Sequence, residues 1–100
     1  MIVQLVMYRS KRGTLPNLRE ILAQLKVVYL NSGCLRYEVY RDGKNPELIV
    51  ELAHFESEAA LLAFESQASP ERSEIFSRFC NALSLSPEDV SVSNLYSEEV

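Results

Sequence analysis

The stretch "CLRYEVYRDGKNPELIVELAHF", Cys34 to Phe55, constrains the fold more than any other part of the chain. Apolar and polar residues alternate on both sides of "DGKNP". A period of two marks strands with unlike faces, and Asp-Gly and Asn-Pro are turn signals. The segment therefore reads as a β-hairpin. An even-length loop opposes Val39 to Leu48, Tyr37 to Val50 and Leu35 to Leu52. Opposed residues share a sheet face, so Leu35, Tyr37, Val39, Leu48, Val50, Leu52 and His54 fall on one apolar side, expected to meet helices. The other side carries Cys34, Arg36, Glu38, Tyr40, Ile49, Glu51, Ala53 and Phe55, with Arg36 opposite Glu51. An odd-length loop would set Glu51 among the apolar side chains, so the even register is the expectation.

The flanking segments supply the remaining elements. "IVQLVMYR", residues 2 to 9, reads as a strand covered on both faces. Thr14 is a helix cap with Pro16 in the first turn. Leu15, Leu18, Ile21, Leu22, Leu25, Val28 and Tyr29 then form one helical stripe, and Gly33 stops it. Ser57 caps a second helix with Glu58 in its first turn and Leu61, Phe64 and Ala68 on one face. Ser69 and Pro70 signal another start, followed by a stripe of Ile75, Phe76, Phe79, Cys80 and Leu83. "SPED", residues 86 to 89, breaks that helix, and "VSVSNLY" alternates as a last strand. The order is βαββααβ, the ferredoxin-like α+β arrangement, with a four-stranded antiparallel sheet and helices on one face. One hundred residues suit a single domain, 1–100.

A net charge of -4 argues against a nucleic-acid partner, which would want clustered Lys and Arg. The basic "RSKR", Arg9 to Arg12, reads as a solvated loop. Two cysteines and one histidine make neither a disulfide framework nor a familiar zinc site. "MIVQLVMY" has no basic leader region and is too short to span a bilayer, so a cytoplasmic location without a membrane partner is expected. Helices on one side leave the other sheet face bare. With Ile49, Phe55 and Tyr40 upon it, that face would be a large exposed patch on a monomer. A second copy is the simplest cover. The expectation is a homodimer whose interface holds Arg36, Glu51, Ile49 and Phe55, with Arg36 and Glu51 paired.

The segment "SGCLRYEVYRDGKNPELIVELAHFESEAALLAF" resembles the antibiotic biosynthesis monooxygenase family through Gly33, Cys34, Leu35, Tyr37, Phe55, Ser57, Glu58 and Leu61. The resemblance implies a dimeric α+β barrel with a cavity between sheet and helices in each subunit. It also implies oxygenation of electron-rich phenols or quinols by molecular oxygen, with no metal or flavin cofactor, the substrate carbanion supplying the electrons. Three positions depart from the family pattern. Phe64 stands where a helical His is common, Ala53 stands where an acid is common, with Glu51 two residues earlier, and Phe55 replaces a frequent Trp. Related haem-degrading proteins ligate iron through that helical His, so Phe64 implies that no haem is held.

His54, the one histidine, is the residue type suited to moving a proton near neutral pH. Tyr37 could donate a hydrogen bond to a substrate carbonyl. These two are the catalytic candidates, with Phe64, Phe76 and Leu52 as a wall for a small aromatic substrate. Plainer readings stand beside them: a strand-end histidine, a core tyrosine and a phenylalanine stripe that is simply core. Glu38 and Glu51 read as partners of Arg36, and Ser57 and Ser69 as helix caps. Two function classes follow. One is a cofactor-independent monooxygenase of small aromatics, the other a non-catalytic dimeric domain that binds a small ligand or a protein.

Overall fold

A computed structural model describes residues 1–10, 15–67, 69–83 and 89–98. Along the chain run β1 (Ile2–Arg9), α1 (Leu15–Asn31), β2 (Arg36–Arg41), β3 (Leu48–Phe55), α2 (Glu58–Ser66), α3 (Pro70–Leu83) and β4 (Ser91–Tyr96). The strands form one sheet in the order β2-β3-β1-β4, and each neighbouring pair is antiparallel. This is the expected ferredoxin-like α+β fold, with β1 and β3 at its centre.

Local chemistry sets several boundaries. Ser57 Oγ accepts from the Ala60 amide at 3.2 Å, and Ser69 Oγ from the Arg72 amide at 3.1 Å. Each satisfies a donor that has no partner inside its own helix. Gly33 takes φ +96°, a left-handed value open to glycine, and the Cys34 amide turns back to the Tyr29 carbonyl at 3.1 Å. The Thr14 cap, Ala68 and residues 86–88 of the helix break lie outside the described residues.

The hairpin register departs from expectation. Tyr37 pairs with Ala53, Val39 with Glu51 and Arg41 with Ile49. The loop between the last paired residues of the strands has an odd number of residues. Asp42 Oδ2 accepts from the amides of Lys44 (3.0 Å) and Asn45 (2.7 Å), and the Leu48 amide donates to the Asn45 carbonyl at 2.9 Å. Asp42 thus builds a side-chain turn that closes an odd-length loop in place of the expected even one. The shift moves β3 face for face. Ile49, Glu51, Ala53 and Phe55 point to the helices with Tyr37, while Leu48, Val50, Leu52 and His54 point away.

Three expectations are corrected by this shift, and a fourth by Leu35 lying just before the start of β2. Ile49 (2% exposed) and Phe55 (0%) lie in the core of the chain, so they cannot form an outer interface. Glu51 is buried under the helices and does not meet Arg36, which pairs with Glu38 at 2.8 Å. Leu52 and His54 lie on the outer face and not on the helix side. Leu35, placed inside by the even register, is 56% exposed.

The rest of the core follows the sequence stripes. Leu18, Ile21, Leu25 and Tyr29 of α1, Leu61 and Phe64 of α2, and Ile75 and Phe79 of α3 are buried against the sheet. From β1, Ile2, Gln4 and Tyr8 join them, whereas Val3, Leu5 and Met7 stay half-exposed beside Leu48, Val50 and Leu52. β1 is thus covered on one face within the chain, not on both. Because Phe55 is enclosed, Phe55→Ala should lower the unfolding free energy by about 3–5 kcal/mol, as large-to-small core changes do. Urea denaturation measures this, and a loss no larger than that of Leu35→Ala would contradict the register.

Candidate functional site

A cavity of about 300 Å³ lies between the covered face of the sheet and the helices. Leu25, Tyr29, Phe64, Phe76, Phe79 and Val92 give it a largely apolar lining, and the polar groups Gln4, Glu51 and Arg72 reach into it. This combination, an apolar hollow with a few polar groups, is the usual build of a small-molecule site.

Glu51 is the unusual member. Its place on β3 aims it inward between Val6 of β1 and Val39 of β2, and it is 3% exposed. Tyr37 Oη donates a hydrogen bond to Glu51 Oε1. Among the described residues the buried Tyr8 hydroxyl has no partner at hydrogen-bond distance, yet Glu51 is near enough to raise its pKa after burial has done so. Burial pushes the Glu51 carboxyl above the usual carboxylate range, and the tyrosine hydroxyls beside it act in the opposite direction. Tyr8, Tyr29 and Tyr37 are all raised, first by burial and then by the charge of Glu51. Glu51 is therefore a carboxyl that holds its proton more readily than an exposed one.

Stacked rings connect this acid to the helices. Tyr37 stacks on Tyr29 with centroids 4.8 Å apart, Tyr29 on Phe64 at 4.7 Å, and the Arg72 guanidinium carbon lies 4.1 Å from the Phe64 centroid. At the other wall, Gln4 Nε2 donates to Glu65 Oε1 at 3.4 Å.

The structure separates the sequence candidates. Phe64 and Phe76 line the cavity, and Tyr37 reaches it through Glu51. His54 and Leu52 sit on the outer face, away from it. His54 Nε2 lies 3.0 Å from Glu38 Oε1, and Glu38 also receives Arg36 and the Tyr40 hydroxyl. The Tyr40 hydrogen bond leads the groups that lower the Glu38 pKa. Glu51, Tyr8, Gln4 and Arg72 were not singled out from the sequence as cavity residues. A signal for Glu51 existed: it is a carboxylate in an otherwise apolar alternation, on the same face as Tyr37 once the loop is odd. Among the described residues no cluster of three or more His, Cys, Asp or Glu could hold a metal ion, and no helix is long and apolar enough to cross a membrane.

The family model described as antibiotic biosynthesis monooxygenase matches residues 1–78. The chain belongs to that family. No curated protein matches the chain in sequence. Among solved structures, this monooxygenase-family chain is similar to a Deinococcus radiodurans protein classed with the antibiotic biosynthesis monooxygenases (17% identity, TM-score 0.79, covering 100% of this chain and 95% of that one). It is also similar to a variant of SnoaB, a cofactor-independent oxygenase from Streptomyces nogalater (12% identity, TM-score 0.79, 99% and 94% covered). A third is a dimeric ferredoxin-like protein of unknown function from Jannaschia sp. CCS1 (16% identity, TM-score 0.73, 96% and 98% covered). At these identities the likeness establishes the fold.

The Glu51 environment has a measurable consequence. A carboxyl whose folded pKa is raised favours folding while protonated, and that contribution is lost as pH rises from the unfolded value through the folded one. Wild type should therefore lose stability relative to Glu51→Gln as pH climbs above the ordinary carboxylate range. Denaturant titrations of both proteins across acid to neutral pH test this. Parallel curves would mean that Glu51 ionises without penalty.

Proposed function

We propose that this antibiotic biosynthesis monooxygenase family chain is a cofactor-independent monooxygenase of small, electron-rich aromatics, with Glu51 as its base. The observation that carries the proposal is a buried carboxyl of raised pKa in an apolar cavity. Such a group takes a weakly acidic proton more readily than an exposed carboxylate does. Tyr37, hydrogen-bonded to Oε1, orients it. The largely apolar lining disfavours water beside a carbanion, which water would reprotonate.

For a ring methylene activated by neighbouring phenols, as in an anthrone, the steps balance as follows. Glu51 removes one proton, and the resulting carbanion passes one electron to molecular oxygen. The two radicals combine at that carbon as a peroxide anion, which Glu51 reprotonates. Loss of the second C–H proton with cleavage of the O–O bond leaves a carbonyl and one water. One dioxygen thus converts a CH₂ group to C=O and H₂O.

The same reading includes a homodimer formed through the outer face of the sheet. Val3, Leu5, Met7, Leu48, Val50 and Leu52 make that face aliphatic at its centre, with Arg36, Glu38, Tyr40 and His54 toward the β2 edge. A Jannaschia protein of the same fold is described as dimeric, which supports a dimer as such. Pairing two such faces gives the α+β barrel and removes the patch from water.

Oxygen uptake with a panel of anthrones and quinols tests the catalytic part. Glu51→Gln should lower turnover about 10²–10⁴-fold, the range for a lost general base. Tyr37→Phe should lower it less, and His54→Ala should leave it near wild type. If no substrate consumes oxygen faster than buffer, the oxygenase reading falls and a ligand-binding domain replaces it. Light scattering tests the dimer: wild type should show twice the 11.4 kDa chain mass, and Leu52→Arg the single mass.

A further inference from the structure

Arg72 stands in the cavity wall in a position fixed from several sides. It belongs to the first turn of α3, where its own amide donates to the capping Ser69 Oγ. Its Nη1 donates to the Phe64 carbonyl and, at 2.9 Å, to the Gln67 carbonyl, both at the C-terminal end of α2. Its guanidinium stacks over the Phe64 ring, 4.1 Å from the centroid. A helix end attracts a cation, and the ring face adds to this, so the guanidinium is held without a carboxylate. Among the described residues the salt bridges are those of Glu38 with Arg36 and His54, and none involves Arg72.

Glu51 is the carboxyl of the cavity lining, and among the described residues it forms no ion pair with Arg72. The Arg72 guanidinium therefore presents its charge to a hollow with walls of low polarity, where attraction to an anion is stronger than at the surface. The guanidinium edge offers planar donors matched to an anionic oxygen.

We propose that Arg72 is a substrate-binding residue that selects aromatics bearing an anionic oxygen, phenolate or carboxylate, with the ring in the space bordered by Tyr29, Phe76 and Phe79. This rests on the oxygenase reading insofar as the ligand is also a substrate. When Glu51 takes the proton, the charge left on the ligand then faces Arg72.

Calorimetric titration with naphthalene-2-carboxylate, its neutral isostere naphthalene-2-carboxamide and 2-naphthol tests the assignment. Wild type should bind the carboxylate at least tenfold more tightly than the carboxamide. Arg72→Gln should bring the two within twofold while leaving the carboxamide affinity unchanged, and a thermal melt establishes that the variant is folded. Should Arg72→Gln fail to fold, Arg72→Lys carries the test. Lysine keeps the charge but loses the planar donors, so the preference should fall at least threefold. Equal affinities in wild type, a preference that survives substitution, or no saturable binding of the carboxylate would overturn the proposal. Among supporting results, naphthol binding that tightens as the naphthol ionises identifies phenolates as accepted ligands, and naphthol binding that does not tighten restricts the site to carboxylates. Because the readout is binding, an absence of oxygen uptake rejects the oxygenase reading and leaves the Arg72 assignment standing. Loss of the anion preference in an active enzyme rejects Arg72 alone.

Discussion

The hydrogen bond from Tyr37 to Glu51 is the contact on which the rest of this structure depends. Burying a carboxyl without a partner costs several kcal/mol, and the chain carries that acid in the middle of its central sheet. A tyrosine on the adjacent strand makes the burial tolerable, since its hydroxyl reaches Oε1 in the buried site. With the acid inside, Ile49 and Phe55 on the same face come inside as well. The core, the cavity and the register of the hairpin thus share one condition.

That condition divides the sheet by chemistry. The covered face and the helices packed on it are rich in rings: Tyr8, Tyr37 and Phe55 of the sheet share the core with Tyr29, Phe64 and Phe79 of the helices, around the buried Glu51. The outer face is aliphatic in its centre, with its charges gathered around Glu38. Aromatic rings supply large apolar area with a polar tip where one is needed, which suits a wall that must also hold a proton donor. Branched and unbranched aliphatic side chains on a pleated surface suit packing against another sheet.

Much of the fold was legible because its signals are local. The stripes of α1 and α3, the Ser57 and Ser69 caps, Gly33 and the element order each depend on residues a few positions apart. The family resemblance was carried by residues of that kind. The hairpin faces were not legible, because they turn on whether a loop has an odd or even number of residues. Asp42 decides this through hydrogen bonds to two amides that composition does not announce. The rule that a carboxylate avoids the apolar face then pointed the wrong way for Glu51. Its exception required Tyr8 and Tyr37 from two other strands, a non-local arrangement. Tyr37 fell on the correct face in the sequence reading and His54 did not, since moving β3 by one position left β2 where it was.

The clustering of tyrosines about Glu51 gives the protein a built-in optical probe. The chain has five tyrosines and no tryptophan, so its ultraviolet emission comes from phenols alone. Three of those phenols are coupled to the charge of one buried carboxyl. A phenol that donates to a carboxylate emits weakly, and a neighbouring ligand ring accepts its excitation. The intrinsic emission of the unlabelled protein should therefore respond to the protonation of Glu51 and to the filling of the cavity beside it.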